Sequence, residues 1–200
     1  MSKLSLLALA AVVMASSASA QDAPLPASLA PATRALLQQL IDSVGALGVP
    51  RKPLADKAAE GVLKGAEADR IVRAVRSLAQ EIETARGALD GTNDLALLGA
   101  AAGALHAGVS ANDLRRLAHP AGASADPPTL ATALVTLVDL VSKRIPVDVA
   151  TLSIQSMIDR RANEKQFRAL RSDVARDVLA GQSPEASLAA RTRAQLRITP

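Results

Sequence analysis

Apolar residues along this chain recur mostly at intervals of three and four, the spacing of one helix face. The clearest run lies between residues 48 and 89. There Leu54, Ala58 and Val62 recur at i, i+4 and i+8, with Ala55, Ala59 and Leu63 beside them. Asp56, Lys57, Glu60 and Lys64 fall on the opposite side. Glu60 precedes Lys64 by one turn, the favourable order for an ion pair. Gly65 suits a left-handed helix end. A second helix is expected from about Glu67 or Asp69, with Ile71, Val75, Leu78, Ala79 and Ile82 inward and Arg70, Arg73 and Arg76 outward. So short a connection makes the two helices antiparallel neighbours. Neither can bury its stripe alone, so the hairpin must pack on other helices.

The same spacing continues in both directions. A helix is expected over about Pro31 to Ala46, with Leu36, Leu37, Leu40, Ile41, Val44 and Leu47 on its apolar side. After a turn with Thr92 or Asn93 as N-cap comes LALLGAAAGALHA, apolar or small nearly all round, the pattern of a central buried helix. Its Gly99 and Gly103 permit close helix crossing. Ser110 and Asp113 resemble a capping box opening a short helix that Pro120 stops. Beyond a loop over 120–128, Thr129 is the expected cap of a helix carrying Leu130, Ala133, Leu134, Leu137, Val138 and Val141. Then follow a helix with Ala150, Ile154, Met157 and Ile158 to about Arg161, and one capped by Asn163 with Phe167, Leu170, Val174 and Val178 inward. Ser183-Pro184-Glu185 opens a last helix that is Arg-rich and weakly apolar.

No stretch alternates with period two, so no strands are expected. The fold class is all-α: about nine helices in successive hairpins, forming an irregular bundle or a short α-solenoid. Similar openings near residues 48, 108, 145 and 181 suggest a degenerate repeat. The later spacings, about 36 residues, fall among helical-hairpin repeats. The first spacing is longer, and the aromatics of tetratricopeptide repeats are missing.

The first 20 residues read as a secretory signal peptide: Lys3, an apolar Leu4–Met14 too short to span a bilayer, and Ala18-Ser19-Ala20 as cleavage site. The expected product starts at Gln21, with a disordered Pro/Ala-rich leader over 21–30 and one helical domain over 31–200. No Cys is present, so no lipid-anchored cysteine and no disulfide can form. A periplasmic location is expected, with no membrane span after cleavage.

The string Glu60-Gly61-Val62-Leu63-Lys64-Gly65, followed by Asp69-Arg70-Ile71, resembles one found in uncharacterised exported bacterial proteins. The resemblance covers about residues 48–90. It implies an exported helical protein and brings no activity with it.

Composition narrows the chemistry. Phe167 is the single aromatic residue, so the core must be built from Ala, Leu, Val and Ile. Nucleophile motifs are missing: no Cys, no G-x-S-x-G, and Ser124 in a loop with no base near it in sequence. His106 and His119, the two histidines, are 13 apart across a break, unlike the i, i+4 spacing of a helical metal pair. A metal or catalytic site could form only if they converged in space with Asp113 or Asp126. The carboxylate pairs Asp56/Glu60 and Asp173/Asp177 read as solvated charged faces beside Lys57, Lys64 and Arg176. No phosphate-cradling glycine loop is present, and no cofactor is expected.

Charge is uneven. Of a formal net +4, the segment after residue 158 alone supplies +4, from nine Arg/Lys against five Asp/Glu. Arg161, Lys165, Arg168 and Arg171 fall along one side of the expected helices and form a candidate anion-binding surface, with Arg191, Arg193 and Arg197 adding charge nearby. Nucleic acid is a poor partner, for there are no aromatics on which bases could stack. The leading expectation is a non-enzymatic exported protein acting through protein–protein interaction in the cell envelope. The alternative is binding of an anionic membrane surface or envelope polymer by the Arg-rich C-terminal helices.

Overall fold

A computed structural model describes residues 24–120 and 125–198. The expected signal peptide, the first three residues of the leader and Ser124 lie outside these. Among the described residues the chain is all-helical, with nine helices: α1 Pro31–Ala46, α2 Arg51–Leu63, α3 Ala68–Ala88, α4 Leu95–His106, α5 Ala111–Ala118, α6 Pro127–Ser142, α7 Val147–Asp159, α8 Glu164–Leu179 and α9 Pro184–Ile198. Helices α2, α3, α4, α6, α8 and α9 pack on one another in that order; α1 lies on α2 and α3, α5 bridges α3 and α7, and α7 also packs on α6 and α9.

One junction recurs six times. The links α1–α2, α2–α3, α4–α5, α6–α7, α7–α8 and α8–α9 are each four residues long. In every one the third residue from the helix end accepts from the N–H five positions on, as in Val49 N–H to Val44 O, Val109 N–H to Ala104 O and Ala162 N–H to Met157 O. A left-handed residue makes that closure possible. It is Gly48, Gly65, Gly108 and Gly181 at four junctions, but Arg144 and Arg161 at the other two. At four of the six the next residue points inward: Val49, Val109, Ile145 and Ala162 are buried, while Ala66 is half-buried and Gln182 is exposed.

Several caps differ from expectation. Asp94, not Thr92 or Asn93, caps α4, accepting from the N–H groups of Ala96 and Leu97. Asp126, not Thr129, caps α6 and accepts from the Thr129 N–H; Pro127 and Pro128 suit a first turn that needs no donors there. Asn163 caps α8 in a full capping box with Gln166. Ser110 accepts from the Asp113 N–H, but its hydroxyl donates to the Asp113 carboxylate, so the box is only half formed. The end of the leader is ordered: residues 26–29 make a turn, Leu29 is buried, and Arg34 donates to Leu29 O.

The core follows the predicted stripes: Leu37 and Ile41 of α1, Leu54 and Ala58 of α2, Ile71, Val75, Ala79 and Ile82 of α3, then Leu134, Leu137, Ile154, Phe167, Leu170 and Val174. Buried residues form one continuous cluster. Many are alanines, which contribute about 0.8 kcal/mol each against about 1.5–3 for a leucine. Close helix approach compensates. A Cβ on Gly61 would stand 2.7 Å from Ile71 Cγ1, so α2 and α3 sit nearer than any side chain at 61 would allow.

Candidate functional site

The four residues of the expected basic surface do not act as one set. Arg161 lies outside α8, in the left-handed position of the α7–α8 link with φ 56°, and lines a cavity of ≈ 490 Å³ together with the acids Asp126 and Asp159. The periodicity grouped it with the others because the basic residues continue at intervals of four, three and three across the link. Lys165, Arg168 and Arg171 lie exposed on α8. Arg168 Nη2 donates to Glu164 Oε2 at 2.5 Å, and Arg171 Nε lies 3.6 Å from Asp139 Oδ2, an oxygen it shares with Lys143. Among the described residues Arg161 and Lys165 have no ion pair.

Arg191 is half-buried rather than free surface charge. It reaches back from α9 and places Nε and Nη2 each 2.7 Å from the two oxygens of Asp177 on α8, while Ser187 Oγ donates to Asp177 Oδ2 at 2.7 Å. Asp177 is 5% exposed, so the solvated-face reading of Asp173/Asp177 is wrong for this residue. The Arg191 hydrogen bonds, then that of Ser187, hold its carboxyl down at about 2, and Arg191 is raised in return. The network is a staple between two helices. Three donors occupy three of the roughly four lone-pair sites of the carboxylate and hold it ionised, which is unsuited to acid–base work. Glu60, lying between Lys64 and Lys57, is likewise held at about 2, on an exposed face.

The histidines go to different places. His106 Nδ1 lies 2.9 Å from Glu81 Oε1 on α3, and His119 Nε2 lies 3.2 Å from Asp90 Oδ2 at the α3–α4 turn. Among the described residues no group of three or more His, Cys, Asp or Glu could hold a metal ion. No described helix is long and apolar enough to cross a membrane.

The feature that sequence reasoning missed is on α4. Leu97, Leu98, Ala101, Ala102 and Ala104 are buried between α3 and α6, but the other side is open, contrary to the expectation of a helix covered all round. Leu95 is 52% exposed, and Ala96 and Gly99 are exposed beside it. Further along the helix Gly99, Ala100 and Gly103, with Val135, itself 44% exposed, and Val138 of α6, wall a groove of ≈ 300 Å³ that runs to Asp139, Ser142 and Arg171. Its α4 side has no charged residue. A Cβ at Gly99 would meet nothing within 4 Å, so the chain's own packing does not require glycine there. Such a glycine in a helix interior costs about 1 kcal/mol relative to alanine. The signal was available: a helix apolar all round in a small bundle has more apolar surface than its neighbours can cover.

By fold and surface this is an all-α protein of packed helical hairpins. In comparisons with known proteins, no family model matches the chain, and no curated protein or solved structure is similar to it.

Proposed function

We propose that this is an exported, non-enzymatic helical protein that acts by protein–protein interaction in the cell envelope, with the α4–α6 groove as its contact surface. The observation that carries this reading is the uncharged, glycine-widened face of Gly99, Ala100 and Gly103, open to the groove on a helix whose other side is core. Exposed apolar faces with small residues let a partner helix approach closely. The pairing of Arg168, Arg171 and Arg191 with acids leaves less free charge for an anionic polymer than the sequence suggests. Export rests on the residue pattern of positions 1–20.

The test is capture from envelope extract at low and high salt with tagged residues 21–200 and with the Gly99→Leu variant. A Cβ at position 99 meets no atom within 4 Å, so leucine extends into the open groove and the fold should keep its melting temperature. The expected result is a protein partner retained at high salt by the parent and lost with Gly99→Leu. Equal capture by both would remove the groove from the proposal. Capture at low salt only would move the contact to the basic C-terminal helices.

A further inference from the structure

Two arginine head groups lie on glycines at the end of α1. A Cβ on Gly45 would stand 2.5 Å from Arg51 Nε, and one on Gly48 would stand 2.6 Å from Arg86 Nη1 and 2.9 Å from its Cζ. Both arginines line a cleft of ≈ 590 Å³, closed by Lys52, Val49, Pro50, Asn93 and Leu95. Three cations from two helices face this space, and the described residues lining it include no acid. Two of the three cations also pair with acids outside the lining: Asp42 lies 3.6 Å from Arg51 Nη2, and Asp56 lies 2.7 Å from Lys52 Nζ.

The cleft also receives the start of α2. That helix has no side-chain cap and no acid in its first turn, so its positive end is unanswered. Arg86 supplies a further observation. Its Nη1 donates to Leu47 O at 2.9 Å, but its Nε is buried with no hydrogen-bond partner. A buried donor on a charged group left unpaired is costly; Nε itself is closed to the cleft, which Arg86 lines with its other atoms. Planar guanidinium groups, an ammonium and helix N–H groups together suit a tetrahedral oxyanion.

We propose that this cleft binds a phosphate group, held by Arg86, Lys52 and the N-terminus of α2, with Gly45 and Gly48 giving the arginines their seats. The site is separate from the α4–α6 groove and stands whether or not that groove binds a partner. The ligand is either a soluble phosphate compound or the headgroup of an anionic phospholipid.

The experiment is titration of the whole protein with inorganic phosphate against sodium chloride at equal ionic strength, followed by amide NMR shifts. Saturable shifts at Gly48, Val49, Arg51 and Lys52 are expected. Lys52→Gln, an exposed change that leaves the Arg86–Leu47 bond intact, should weaken binding at least threefold, and Arg86→Gln at least tenfold. Arg193→Gln, which removes the same charge elsewhere, should change nothing. Shifts that do not saturate, or equal weakening by Arg193→Gln, would overturn the proposal. Sedimentation with phosphatidylglycerol vesicles, with phosphatidylcholine vesicles as control, then identifies the source. Pelleting that inorganic phosphate competes away assigns a lipid headgroup; no pelleting with saturable phosphate binding intact assigns a soluble phosphate compound.

Discussion

Asp177 stays ionised while almost wholly buried because three donors converge on its two oxygens. Its carboxyl, at about 2 in the folded protein against 3.8 ordinarily, contributes stability that is fully present above about pH 4. That contribution is lost as pH falls towards 2, because protonation removes the charge that Arg191 answers. Asp177→Asn keeps the shape but leaves the half-buried Arg191 without its counter-charge. We expect thermal melts at pH 7 to fall by several degrees in the variant, and the gap from the parent to close between pH 4 and 2. A gap that persists unchanged to pH 2 would contradict the assignment. The same change at Glu60, on an exposed face, should matter far less, because water and salt screen its pairs. Glu60 and its lysines were legible as i, i+3 and i, i+4 neighbours. Asp177 was not: its partner is 14 residues away, on a helix whose return path no local spacing records.

At the scale of the element, the six equal links decide how each helix hands over to the next. Four of them use glycine at the left-handed position; Gly65 was visible as a helix end, and Gly48, Gly108 and Gly181 as openings of the next unit. Arg144 and Arg161 were not, because nothing in an arginine announces positive φ. They hold it because Ile145 and Ala162, next in line, are buried and pull the backbone round. A non-glycine residue there costs about 1–2 kcal/mol, partly offset by the greater freedom of glycine in the unfolded chain. Urea denaturation should therefore show Arg161→Gly more stable by up to about 1 kcal/mol. Gly65→Ala, where a Cβ meets open space, should cost about 1 kcal/mol through backbone strain alone. Gly48→Ala should cost more than Gly65→Ala, since its Cβ also displaces the Arg86 guanidinium from Leu47 O.

For the whole molecule, one continuous core without a disulfide places most of the stability in packing. Phe167, fully buried on α8 and the largest side chain available, fills a volume that no neighbour can supply. Phe167→Ala should destabilise by about 3–5 kcal/mol. The parent should unfold in a single transition by circular dichroism at 222 nm, because no part of the cluster stands apart. A second transition would mean that the two ends of the row of helices fold independently. The sequence by itself determined the all-helical class, the order and approximate bounds of the helices, most inward-facing residues and the caps at Asn163 and Ser110. These follow from periodicity and cap chemistry, which act over one or two turns. Tertiary structure alone decided that α4 leaves a face uncovered, that Arg191 is drawn inward to Asp177, and that Arg51 and Arg86 meet over two glycines. Those outcomes depend on which element comes to rest beside which, and burial, pairing and charge convergence between distant residues are set only there.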